Sequence, residues 1–136
     1  LTDIIKGKPA KLFLMIGIND IARNFPDSII IRNCQQIVQR IKTESPRTKI
    51  FLQSILPANS VFDKLPAHYN KNAQIITINA AIAAIANAFG ATYIDLYSSF
   101  VNKTGSLIEE LSFDGVHLTK KGYDKWLSIL KSHKYI

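Results

Sequence analysis

Asp114 and His117 stand three residues apart in the stretch SFDGVHLTKKGY, residues 112–123, near the C-terminal end of the chain. In acyl transfer, a histidine acts as general base when a carboxylate holds its Nδ1–H and leaves Nε2 facing a nucleophile. An Asp-x-x-His spacing within one tight turn brings both side chains to the same side of the backbone, so one loop supplies acid and base. The same pair has a structural reading, because an aspartate commonly caps the turn before a helix. The chain holds 10 acids and 3 histidines, so the spacing alone does not choose between the two.

Asn19 adds a second piece. It follows the apolar run LFLMI through Gly17, where the backbone leaves a strand. A side-chain amide at such a point can donate to a developing oxyanion, and one such donor is worth about 3–4 kcal/mol to a transition state. The competing reading is an asparagine suited to turn geometry, with Asp20 capping a short helical turn.

The elements that must position these residues alternate. LFLMIG at 12–17 is a continuous apolar run, which predicts a strand buried on both faces. GINDIARNFPDS predicts a loop, then a helix capped by Asp27 or Ser28 with Ile30, Cys34, Ile37 and Ile41 on one face. Pro46 ends that helix. IFLQSILP, closed by Pro57, predicts a second strand, with Ser54 inside it. An irregular polar segment follows at 58–69, then a helix striped by Ile75, Ile78, Ile82, Ile85 and Phe89, with Gly90 as its C-cap. TYIDLY at 92–97 predicts a third strand, and Thr119 opens a last helix with Tyr123, Trp126, Leu127 and Leu130 on one face. This alternation predicts an α/β sandwich around a parallel sheet, whose chemistry gathers at the carboxyl ends of the strands.

Composition narrows the class. At 136 residues the chain amounts to one domain or less, and 47% apolar with 20% charged residues is the balance of a folded protein. No apolar run approaches the roughly 18–20 residues that span a bilayer. The formal charge of +7 comes from scattered lysines, without a basic run or interleaved aromatics, so no nucleic-acid partner is implied. One cysteine, Cys34, excludes an internal disulfide and carries no zinc pattern; it is expected in the core. No metal or cofactor is implied. His68 lies in the irregular loop, where it could touch substrate but is expected to be a solvated loop histidine, and His133 is expected at the surface.

GIND after the first strand and DGVHLTKKGY before the final helix resemble two signature blocks of the SGNH hydrolases, the GDSL-type esterases and acylhydrolases. The order of intervening elements is similar along nearly the whole chain. The resemblance implies a flavodoxin-like three-layer α/β/α sandwich and a serine esterase activity. By position, Asn19 matches the oxyanion-hole asparagine, His117 the general base, Asp114 its orienting acid, and Gly17 a glycine needed for backbone geometry. The texture of YIDLYSSF and FDGVHLTKKGY is similar to carbohydrate-active and platelet-activating-factor-acetylhydrolase-like members, and O-acetyl groups on carbohydrate are the substrate class this suggests.

Two family blocks are absent. No Gly-Asp-Ser occurs, and no oxyanion-hole glycine block precedes Leu12. Residues 1–136 are therefore expected to form the C-terminal two-thirds of a single domain, without its first two strands and with the nucleophilic serine outside the chain. Roughly 60 further residues would complete a domain of ordinary size. Ser54, Ser98, Ser99 and Ser112 lack the elbow-like setting of a nucleophile or lie too close to His117 in sequence. Loss of two strands would leave residues 12–16 as an open apolar edge, which predicts self-association. The opening LTDIIKGKPAK resembles the end of a helix and carries no initiator methionine, so any leader is expected upstream. The compartment stays open, periplasmic and secreted both included. A non-catalytic flavodoxin-like binding module is the alternative, and a phosphoacceptor role for Asp20 and Asp95 lacks the clustered acids it needs.

Overall fold

The computed structural model describes all 136 residues. Three short parallel strands, β1 (Lys11–Leu14), β2 (Lys49–Gln53) and β3 (Thr92–Ile94), form one sheet in the order β1-β2-β3. Around them run α1 (Thr2–Lys6), α2 (Ile18–Ala22), α3 (Asp27–Glu44), α4 (Asn72–Phe89), α5 (Tyr97–Phe100) and α6 (Lys120–Ser132). Single 3₁₀ turns lie at Ser60–Phe62, Pro66–His68 and Glu109–Leu111.

Side chains alternate across a strand, so β2 feeds two cores. Ile50 and Leu52 join Ile30, Cys34, Val38 and Ile41 of α3 and Ile75, Ile78, Ile82 and Ile85 of α4 on one face. Phe51 points the other way, into a smaller cluster with Ile94, Leu96, Phe100, Leu107, Leu111 and Leu118. Trp126, Ile129 and Leu130 of α6 close that second layer. The result is the expected three-layer sandwich with a parallel sheet, in a partial form of three strands.

Several elements differ from the sequence pattern, each for a local reason. β1 stops at Leu14, where its pairing with β2 ends, and it is only half-buried because nothing pairs with its outer edge. The predicted loop at 18–22 is the short helix α2, entered through Gly17 at φ 118°. Neither Asp27 nor Ser28 caps α3; its N-cap is Pro26, while the Asp27 carboxylate accepts from Gln74 of α4 at 2.6 Å. In α3, Val38 is fully buried and Ile37 only partly so. In α6, Tyr123 and Leu127 face solvent, and Gly122 packs inward instead. Thr119 caps α6 as expected, through Gly122 N–H, and Gly90 closes α4 at φ 68°. Cys34 is buried, and burial pushes its thiol up to about 11.

α4 has 18 residues with a mean hydropathy of 1.3, enough by length and composition for a bilayer span, yet its isoleucine stripe packs on the sheet. Its buried Asn79 acts as a surrogate strand. Asn79 Oδ1 accepts from Ile55 N–H at 2.7 Å, and Nδ2 donates to Ile55 C=O at 2.9 Å. This pairing satisfies backbone just past the end of β2. Asn79→Ala would leave both Ile55 groups buried without partners, a loss of about 2–4 kcal/mol. Urea unfolding should show a lower midpoint with an unchanged slope; an unchanged midpoint would mean the amide contributes nothing.

Candidate functional site

Asp114 sits in a turn built to fix it. Its Oδ1 accepts from the backbone N–H of Val116 at 2.8 Å and of His117 at 2.7 Å, and its Oδ2 contacts His117 Nδ1 at 2.6 Å. Ser112 closes the loop from within: its hydroxyl donates to His117 C=O at 2.6 Å and accepts from Gly115 N–H at 2.8 Å. The Asp114 side chain is 11% exposed and the His117 side chain 62% exposed. The carboxylate is thus the buried anchor and the imidazole its exposed arm.

Gly115 makes the turn feasible. Its φ is 87°, and a Cβ there would lie 2.1 Å from Asn59 C=O. Only a glycine tolerates both conditions. The close approach lets Asn59 N–H donate to Gly115 C=O at 2.9 Å. Asn59 is itself held by Nδ2–H to Leu107 C=O at 2.8 Å.

Electrostatics assign the protons. Burial works to raise the Asp114 pKa, but hydrogen bonds from the His117 ring and from the His117 and Val116 backbone outweigh it, and the net shift is downward. An ionised carboxylate only accepts, so His117 Nδ1 carries the proton and donates. In the neutral ring Nε2 is then the acceptor nitrogen, and it has no protein partner. That is the protonation pattern of a general base.

Asn19 lies in the first turn of α2 and is exposed. It is brought to the same end of the sheet as the histidine loop. Ile18 and Val116, the residues preceding Asn19 and His117, both line one apolar cavity of about 110 Å³ completed by Met15, Ile16, Ile55 and Leu56. Gly17 admits this path, since a Cβ on it would meet Ile55 Cδ1 at 2.9 Å. Asn19 Nδ2 has no protein acceptor, while Oδ1 meets His68 Nε2 at 3.2 Å.

The serines are placed elsewhere. Ser54 lies just past β2, not within it, and its hydroxyl accepts from Leu96 and Tyr97 N–H. Ser98 donates to Asp95 at 2.6 Å, and Ser112 is spent on its own loop. No serine hydroxyl is hydrogen-bonded to the His117 ring. His68, expected as a solvated loop histidine, is instead half-buried with its Nδ1 enclosed, and no sequence pattern marks Tyr69; the two touch both halves of the site. Tyr69 is buried and its hydroxyl donates to Asp114 C=O at 2.7 Å. No local periodicity marks them; only the tertiary approach does.

A depressed carboxyl pKa stabilises the fold above the unfolded value near 3.9, and that contribution is lost as pH falls through the lower folded value. Following the Asp114 carboxyl by ¹³C NMR should give a midpoint below about 3.9, with the Val116 and His117 amide signals shifting in the same step. A midpoint at or above the ordinary range would contradict the hydrogen-bonding account.

Known proteins give the geometry its context. Residues 1–125 match the GDSL-like lipase/acylhydrolase family. A candidate platelet activating factor from Streptococcus pneumonia is 32% identical over 90% of this chain and 58% of its own, with a TM-score of 0.83. A candidate acylhydrolase from Bacteroides fragilis is 28% identical over 97% of this chain and 64% of its own, with a TM-score of 0.84. An acetyl xylan esterase, 19% identical over 97% of this chain and 70% of its own, shares the fold with a TM-score of 0.78. No curated protein matches the sequence. The chain thus spans 58% and 64% of the first two structures it resembles. With the family pattern running through all but the last eleven residues, the chain belongs to the GDSL-like lipase/acylhydrolase family.

Proposed function

We propose that these residues form the body of a serine ester hydrolase whose nucleophile lies outside the 136 residues. The observation that carries this reading is the 2.6 Å Asp114–His117 contact, with His117 Nε2 left without a protein partner. In this scheme a serine Oγ attacks the ester carbonyl while His117 Nε2 takes its proton. Asn19 Nδ2 donates to the oxyanion, and the alcohol leaves with the proton from His117. Water, deprotonated by the same nitrogen, then releases the acid and restores the serine. The substrate class we propose is a small carboxylic ester, with O-acetyl groups on carbohydrate as the first candidate. Its support is the texture of the C-terminal blocks together with fold-level likeness to an acetyl xylan esterase.

Hydrolysis of p-nitrophenyl acetate by the protein carrying its upstream serine tests this. His117→Ala should lower kcat by about three orders of magnitude or more. Asn19→Ala should lower kcat by about 10²–10³ with little change in KM. The 136-residue chain should be inactive. Activity in that chain that depends on His117 would place the nucleophile among its own serines, with Ser98 and Ser99 the first to replace. Full activity without His117 would leave a binding module built on the same scaffold.

We also propose that the open edge of β1 pairs with a second copy of the 136-residue chain. Its outer backbone groups have no strand partner, and Leu12, Phe13 and Leu14 are only half-buried. Sedimentation should show a mass that rises with concentration toward a dimer; a monomer at all concentrations would end that idea.

A further inference from the structure

We propose that His68 is a positioning residue for Asn19, and that the inference rests on the oxyanion role just assigned to that amide. Asn19 is exposed, and a free amide on a surface turn presents its oxygen or its nitrogen with little preference. Only the nitrogen end stabilises an oxyanion; the oxygen end repels it. Something must choose between them.

His68 Nε2 lies 3.2 Å from Asn19 Oδ1. If Nε2–H donates there, the oxygen is held away from the ester, and both Nδ2 hydrogens face outward with no protein acceptor competing for them. The other ring nitrogen fixes the direction of the bond. His68 Nδ1 is buried and has no hydrogen-bond partner. The Nε2–H tautomer leaves only an unpaired lone pair at Nδ1. The reverse tautomer would bury an N–H with no acceptor, and orphaned buried N–H groups are rare.

The ring is held in place by its neighbour. His68 ends the 3₁₀ turn Pro66–His68, and the next residue, Tyr69, is 5% exposed. The Tyr69 hydroxyl donates to Asp114 C=O at 2.7 Å and accepts from Lys64 N–H at 2.9 Å and Leu65 N–H at 3.1 Å. Consecutive residues thus grip the two halves of the site, His68 the amide and Tyr69 the Asp114 loop. A shift of this turn would displace Asn19 and Asp114 relative to each other.

Two measurements test the assignment. Long-range ¹H–¹⁵N correlation spectra of the 136-residue chain should show His68 protonated at Nε2 and bare at Nδ1, and His68→Leu should move the Asn19 side-chain NH₂ signals. In the serine-bearing protein, His68→Leu should lower kcat for p-nitrophenyl acetate by about tenfold to a hundredfold, short of losing the donor outright, with KM within about twofold. His68→Gln, which keeps an N–H at similar reach, should recover most of the loss. Combined with Asn19→Ala, His68→Leu should add almost nothing, because residues acting through one contact are non-additive. An Nδ1-protonated ring, equal losses in the Leu and Gln variants, or additive losses in the double variant would each overturn the proposal. If His117→Ala leaves hydrolysis intact, the esterase reading fails instead, and the spectra still decide the His68–Asn19 contact.

Discussion

The close approach of Gly115 to Asn59 governs the site. Two loops that belong to different strands meet there with no room for a Cβ, and the Asn59 N–H to Gly115 C=O bond locks their register. Against the loop that follows β2, that contact holds the short turn from Ser112 to Leu118. Its carboxylate is filled by two backbone donors and one ring donor, and its histidine is pushed outward. A rigid scaffold carrying a functional loop is the usual economy of α/β proteins, because precision in the loop comes from the packed layers beneath it.

Those layers explain why Asp114 is buried and His117 is not. Leu111 and Leu118 flank the turn and enter the smaller core with Phe51, Leu96, Phe100 and Leu107, so the loop is pinned at both ends by apolar burial. Thr119 then caps α6, which turns the chain away before His117 can follow Asp114 inward. Polar satisfaction continues through the same region: Asn59, Asn72 and Asn79 each bridge backbone groups that no strand reaches. With only three short strands, side-chain amides complete much of the hydrogen bonding a longer ladder would supply.

The layer order and the Asp114–His117 pair were legible from the chain alone. Apolar stripes at helical spacing and continuous apolar runs depend only on which atoms must leave water, and an Asp-x-x-His turn is local enough to close within four residues. Boundaries were less legible. β1 ends at Leu14 although Met15 and Ile16 are as apolar as its core, because pairing with β2 and not hydrophobicity ends a strand. α2 replaces a predicted loop, entered through Gly17 in a left-handed conformation that glycine alone adopts freely. Tyr123 and Leu127 read as core by spacing, but α6 is rotated to place Gly122 against Leu111 C=O.

The fold class, the sheet-facing helix stripes and the Asp-x-x-His pairing were set by the chain alone, since each follows from local periodicity or from spacing within one turn. Tertiary structure decided the rest. His68 and Tyr69 lie 49 and 45 residues from the groups they hold. No pattern in the segment 58–69 announces such contacts, because long-range hydrogen bonds depend on where two loops arrive in space and not on what neighbours them in the chain.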